Sequence, residues 1–569
     1  MKRVALGLLP ALFACLVTVG CSDDHGTSDT STGQRPTENA GSSSGRIPAG
    51  SSSSGGSQNT QGQNAQGAQQ AIQEADIIEL QDGHLFAISK AGTLSIIDVS
   101  KPGALTLNSQ ILLPGEPFEM YLNGGRLVLL MNNAKIDSNA ASAAVLVLDI
   151  KDPVLVQRVG TFPVTGSISD SRLVGDLLYL VTDASVTSFD LSTPSALKQV
   201  DQLALEGKHS IIFGNGRMYV GGAGGIDLVD VSDAKGKLAK GVHVTTAGPI
   251  TARWQMSEKT DVLRVVTQPG SGSNPSVETF QVWNARSMQT MAKMEIQIPS
   301  REQLKAVRFD EDRAYFITFR QTDPLYIVDL TDPMKPQQRG ELTMPGWVVH
   351  LEPRGDRLVG LGLDTTNREG AINVSLFDVS NLDAPKMLQR INFGQYSTNL
   401  PEDQDRLQKA FRIGADGLIT VPYSPPVGQA CETGGAIQLV KIDNDTLYKG
   451  QNLPMAGNPR RALVNQNELV GVSDSNVSAF DIATAAKTAD VSIGKCEIRT
   501  TNLNDGAVVT QPPLNDHPVD GYYSDYSDDQ PYACSFAPSR SDRHSAYVVL
   551  GFGLVVGAIA RRRASRRDA

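Results

Sequence analysis

Between Asp76 and Ile493 a single pattern returns about nine times: a short apolar run, an aspartate, an aliphatic residue, Ser or Thr, and often Pro. It reads SIIDVSKP from Ser95, LVLDIKDP from Leu146, TSFDLSTP from Thr187 and DLVDVSDA from Asp227. Later copies are YIVDLTDP from Tyr326, SLFDVSNL from Ser375 and SAFDIATA from Ser478. A unit repeated every ~40–50 residues cannot bury its apolar face alone, so its copies must stack into a β-propeller or a solenoid.

Each unit parses as four short strands. In the sixth, KAVRF (Lys305–Phe309) is followed by the turn DEDR, then AYFITF, YIVDL and QRGELTM. Strand-sized runs divided by Asp, Gly and Asn turns are an all-β signal, and no helical period of useful length competes. The third run is apolar at consecutive positions, as in Ile96-Ile97 and Val145 to Leu148, which suits a strand sandwiched between neighbours. The reading is therefore a propeller of eight or nine four-stranded blades over residues 71–497, against the usual four to eight. Either a partial blade or a closing blade shared by both ends would lower the count.

The aspartates at the end of the third strand are Asp98, Asp149, Asp190, Asp230, Asp329, Asp378 and Asp481. A carboxylate there can accept the backbone N–H two residues on, and the following Pro pre-sets φ for the bend into the outer strand. They read as turn formers and not as a ring of metal ligands, because such turns lie off the axis.

Both termini read as addresses. Residues 1–20 have a basic start, an apolar stretch and small residues, the pattern of an export signal. Val19-Gly20 before Cys21 resembles the lipobox of bacterial lipoproteins, although Thr18 stands where Leu is usual; the resemblance implies acylation of Cys21, the alternative being ordinary cleavage nearby. Residues 21–70 are rich in Ser, Gly and Gln and bury too little to offset their ordering entropy, so they read as a disordered tether. Residues 498–543 form a polar acidic stalk. In 544–569 an apolar run from Ala546 to Ala560 precedes Arg561-Arg562-Arg563, a sorting or anchor segment. With Cys534 upstream it resembles the myxobacterial C-terminal sorting tag, which implies processing near Cys534; a plain membrane anchor is the alternative. The expected location is the cell envelope, at the outer membrane or cell surface, with the membrane reached through lipid or the C-terminal segment.

The run from Val307 to Trp347 resembles the core signature of the secreted bacterial β-propeller family distantly related to WD repeats. EADIIELQDG from Glu74, SLFDVS from Ser375 and KAF at Lys409–Phe411 match further positions in order. Two family histidines are replaced, one by Glu352 and one by Gln408. The resemblance implies the fold and no settled activity.

Chemistry is harder to find. The net charge of −10 argues against nucleic acid, which needs a basic face. Seven single histidines offer no zinc spacing. GGAGG at Gly221–Gly225 lacks the Lys-Ser/Thr of a phosphate loop and reads as a turn between strands. Asp443-Asn444-Asp445 has calcium-type oxygens in the wrong spacing for an EF-hand and reads as a polar turn, with a structural calcium left open and no other cofactor expected. Cys431 and Cys496 fall in the last two units; an exported chain can bridge them, closing a loop worth up to ~4 kcal/mol, unless they stay free or pair with Cys534.

Two functions follow. The first is a non-enzymatic surface disc that binds protein or envelope ligands, with Trp254 or Trp347 in an exposed patch. The second is a metal-dependent, lactonase-like hydrolase with its site at the channel.

Overall fold

The computed structural model describes residues 72–494, apart from 74–75, 90, 137–138, 206, 208–209, 271, 299–301, 320–322, 345, 365–369, 395–399, 401–403 and 425–432. Nine four-stranded antiparallel units follow one another around a ring, each built from four consecutive strands. Blade 1 covers Ile78–Leu112, blade 2 Glu116–Val164, blade 3 Ile168–Ala204, blade 4 Ser210–Val244 and blade 5 Met256–Glu295. Blade 6 covers Gln303–Met344, blade 7 Trp347–Phe393, blade 8 Arg412–Met455 and blade 9 Pro459–Ser492. The expected eight or nine blades are nine. No closing blade is shared: blade 1 and blade 9 each contain only their own consecutive strands.

Blade 6 shows how the local sequence makes the unit. Gln303–Asp310 pairs with Arg313–Phe319 through the Glu311-Asp312 turn, where Glu311 takes a positive φ of 46°. Asp323–Asp329 and Gln337–Met344 then complete the sheet. The third strand carries Leu325, Tyr326, Ile327 and Val328, all buried, because each face of the sheet meets a neighbouring blade. In all nine blades the ladder between third and fourth strands carries a register shift, just before the terminal aspartate in most of them, at Ile96/Ile97, Val147/Leu148 and Phe480, for instance. A bulge there increases the right-handed twist, which lets the outermost strand swing away from the inner ones.

The aspartates sit at these corners. Asp98 Oδ1 accepts the N–H of Ser100 at 2.8 Å, Asp149 that of Lys151 at 3.0 Å, and Asp190 that of Ser192 at 2.8 Å. Asp230, Asp329 and Asp378 accept from Ser232, Thr331 and Ser380 at 2.9–3.0 Å. Asp481 differs, accepting from Thr484, three residues on. The Ser192 hydrogen bond holds the Asp190 carboxyl below its ordinary range, so its contribution is present above about pH 4 and fades as pH falls. Asp190→Ala is expected to cost about 1 kcal/mol at pH 7, read by urea denaturation, and less at pH 3.

The apolar core lies between blades. Tyr315, Ile317 and Ile327 of blade 6 pack against Leu351, Leu358 and Phe377 of blade 7. At the closing seam Val470, Val472 and Val477 of blade 9 join Leu85, Ile96 and Ile97 of blade 1. With no shared sheet, the seam is fastened by side chains: Asn465 Nδ2 donates to Val99 O (2.6 Å), Gln110 Nε2 to Ile493 O (2.8 Å), and the Gly103 N–H to Glu468 Oε1 (2.9 Å). Among the described residues no helix is long and apolar enough to cross a membrane.

Candidate functional site at the axis

The first strand of each blade is the innermost, so residues on these strands face the axis. Two further segments enter there. The short strand Ile72–Gln73 pairs antiparallel with blade 3's first strand, Ile72 opposite Val174. The chain then bridges Asp76 to Met120 on blade 2's first strand before starting blade 1. The second segment is a seven-residue helix, α1 (Gln404–Ala410), between blades 7 and 8. Leu407, Ala410 and Phe411 are buried, the leucine and the phenylalanine in the apolar cluster of those two blades, while Arg406 donates to Phe118 O on blade 2 at 2.7 Å. That bond joins blades on different sides of the ring, so α1 projects inward.

The charges gathered here come from seven elements. Arg461, on blade 9, is fully buried and donates to Asp76 Oδ1 at 2.8 Å and Oδ2 at 3.2 Å. Burial alone would raise the Asp76 carboxyl, but the Arg461 charge, Lys409 and the Arg461 and Ile77 hydrogen bonds hold it well below the ordinary carboxylate range. On blade 1, Glu79 goes the other way: burial and the Asp76 charge push it up to about 7 against Lys409, Arg412 and Arg461. Glu119, on blade 2, is raised by burial and accepts from Ser171 Oγ at 3.0 Å, and Ser171 Oγ also meets the Tyr121 hydroxyl at 2.8 Å. On blade 3 Arg172 pairs with Asp170 at 2.8 Å, both buried.

Blades 6 and 7 add Arg308, 3.0 Å from Glu352 Oε2. Nε2 of buried His350 lies 3.5 Å from the same oxygen, too far for a good hydrogen bond, and burial pushes the imidazole down, so it stays neutral at pH 7. Its ring stands edge-on to Phe411 at 5.5 Å. The segments that carry the family resemblance thus meet in space: Asp76 and Glu79 from EADIIELQDG, Arg308 from VRF, Glu352 at the histidine position, and Lys409 and Phe411 from KAF.

Among the described residues no group of three or more His, Cys, Asp or Glu side chains could hold a metal ion. Asp445 of the calcium-like turn is engaged by Arg357 at 2.5 and 2.7 Å. GGAGG closes a hairpin, Gly222 opposite Gly225. Trp254 is partly buried against the core between blades 5 and 6. Cys21, Cys431, Cys496, Cys534, the tether, the stalk, the two terminal address segments and the Trp347 side chain lie outside the described residues. Sequence reasoning missed the Asp76–Arg461 pair, the Glu79–Lys409–Arg412 grouping and α1. The available signal was the acidic EADIIEL run, whose charges are out of place on an inner strand that must be buried.

The archaeal relatives are two uncharacterized proteins: one of Methanocaldococcus jannaschii, 32% identical over 145 residues, and one of Archaeoglobus fulgidus, 42% identical over 95. The matches take in 25% and 17% of this chain, and 23% and 15% of the relatives' lengths. Among solved structures, the computationally designed Ika8 protein aligns with 64% of this chain and 95% of its own at 13% identity and a TM-score of 0.40. BamB from Moraxella catarrhalis aligns with 72% and 94% at 11% identity and a TM-score of 0.36. The beta propeller domain model matches residues 64–211 and 227–485, most of the ring, and the chain belongs to that family.

Proposed function

We propose that this protein is a non-enzymatic binding or scaffold module, a rigid disc displayed at the cell surface that engages protein or envelope ligands. The observation that carries this reading is the state of the axis. In a propeller hydrolase the axial channel would hold an ion and a substrate; here the chain itself lines and enters it, through Ile72–Gln73, Asp76 and α1. Most axial carboxylates are already committed, Asp76 to Arg461, Asp170 to Arg172 and Glu352 to Arg308. What the disc offers outward is its rim, where Met387 and Leu388 on blade 7's outer strand lie beside Tyr448 on blade 8's. These two strands are laced by reciprocal Gln389–Leu447 hydrogen bonds at 2.7 and 2.8 Å, so the three side chains share one edge. Exposed apolar groups on a stiff edge suit protein contact.

In this reading Cys21 carries lipid, residues 21–70 hold the disc away from the membrane, and the segment after Cys534 directs sorting. The test is labelling of intact cells with a membrane-impermeant reagent, with Cys21→Ser alongside. Labelling of the unsubstituted protein in the membrane fraction, and its release to the soluble fraction by Cys21→Ser, is expected. Protection from the reagent until cells are lysed would defeat the surface assignment. Metal-stimulated hydrolysis of a lactone or ester panel by the purified chain would defeat the non-enzymatic one.

A further inference from the structure

We propose that the axis of the disc holds a small oxyanion, a carboxylate or a tetrahedral oxyanion such as phosphate, between the side chains of Lys409 and Arg412. Most cations in this region have a partner. Arg461 has Asp76, Arg172 has Asp170, Arg308 has Glu352, and Arg406 reaches the Phe118 carbonyl. Lys409 and Arg412 differ. The only hydrogen bond from either side chain among the described residues runs from Arg412 Nε to the backbone carbonyl of Lys409, at 3.1 Å. Among the described residues neither is ion-paired with an acid, although both act electrostatically on Asp76 and Glu79.

The carboxylates within their field do not neutralise them. Asp76 is spent on Arg461, and Glu119 is hydrogen-bonded to Ser171. Glu79 has no hydrogen-bond partner among the described residues, and burial together with Asp76 pushes its carboxyl up to about 7, so that its neutral form is well populated near that pH. The surroundings of Glu79 are Asp76 on the lead-in segment, Lys409 on α1, Arg412 on blade 8 and Arg461 on blade 9. Two fixed cations and one protonatable carboxyl therefore meet where, among the described residues, no acid is ion-paired with either cation. All three side chains are half-buried, so solvent and small ions reach them, while the surrounding protein lowers the dielectric and strengthens attraction for an anion. The burial that presses Arg412's proton affinity down is the cost an arriving anion would relieve. A protonated Glu79 would donate to the anion; an ionised one would repel it. This site is independent of where the protein resides and of what its rim touches.

The experiment is isothermal titration of the purified full chain with sulfate and, separately, with acetate, at pH 6 and pH 8; neither anion changes charge over that range. Saturable binding of one of the two, tighter at pH 6, is expected, and which one binds distinguishes a tetrahedral oxyanion from a carboxylate ligand. Lys409→Met and Arg412→Gln should each weaken it by about tenfold or more, the loss of one charge-assisted hydrogen bond. Glu79→Gln, close to isosteric, should retain binding and lose the pH dependence, and this arm stands even where the lysine or arginine variant folds poorly. No saturable heat with either anion, binding indifferent to both cation substitutions, or a pH dependence that survives Glu79→Gln would each overturn the proposal.

Discussion

Arg461→Met should lower the stability of the ring by about 3–5 kcal/mol at pH 7, the range found when one partner of a buried ion pair is removed. Arg461 is fully buried and Asp76 is 5% exposed, so the surviving carboxylate would lose its hydrogen-bonded counter-ion in a site closed to water. Its cost would also fall on the closing seam, because Asp76 and Arg461 are 385 residues apart and link the lead-in segment of blade 1 to blade 9. With no strand shared between first and last blades, that seam has no backbone ladder to fall back on.

The pH dependence follows from the direction of the Asp76 shift. Its folded-state proton affinity is depressed below that of an unfolded aspartate, near 4, so the pair's contribution is full above that pH and is lost as pH falls further. The gap between the two proteins in urea denaturation should therefore be widest at pH 7 and should shrink below pH 4. A variant carrying both Asp76→Leu and Arg461→Met should be more stable than Arg461→Met alone, since no uncompensated charge remains. Equal losses for the single and double variants would show that packing and not charge fastens the seam.

The second large effect is expected at Gly225. This residue has φ +128°, and a Cβ there would lie 2.1 Å from Val244 O and 2.9 Å from Thr245 Cα, both backbone atoms of the adjoining strand and its end. Neither can move without opening the outer ladder of blade 4, in which Ile226 pairs with Val244. Gly225→Val should cost roughly 3 kcal/mol or more, combining backbone strain with overlap. Gly224, one residue away in the same GGAGG run, is the control. Its nearest neighbour would be His243 Cε1 at 3.9 Å, so Gly224→Ala should change stability by less than about 0.5 kcal/mol. Thermal melts of the two variants side by side measure the contrast. Similar losses at both positions would mean that the hairpin needs glycine for its turn alone and not for close approach to the outer strand.

The sequence by itself determined the blade, since within each of the nine four-stranded units every strand pairs with the one before or after it in the chain. Such hairpins are written locally, in two-residue turns such as Glu311-Asp312, in apolar runs such as Val145–Leu148, and in aspartates that fold back on their own backbone. Repetition then multiplied one legible unit around a ring. The count resolved at nine because the tertiary structure alone shows that the ends meet as two whole blades. The axial cluster was not legible for the opposite reason. Its residues come one or two at a time from first strands, the lead-in segment and α1, tens to hundreds of positions apart, and no local motif joins Asp76 to Arg461 or Glu79 to Arg412. Helix α1 was also hidden, because seven residues are too few for propensity to fold alone, and packing of Leu407 and Phe411 against blades 7 and 8 supplies what propensity lacks. Local hydrogen bonding and burial pattern decided the strands; ring closure, which alone brings distant inner strands to a common axis, decided the site.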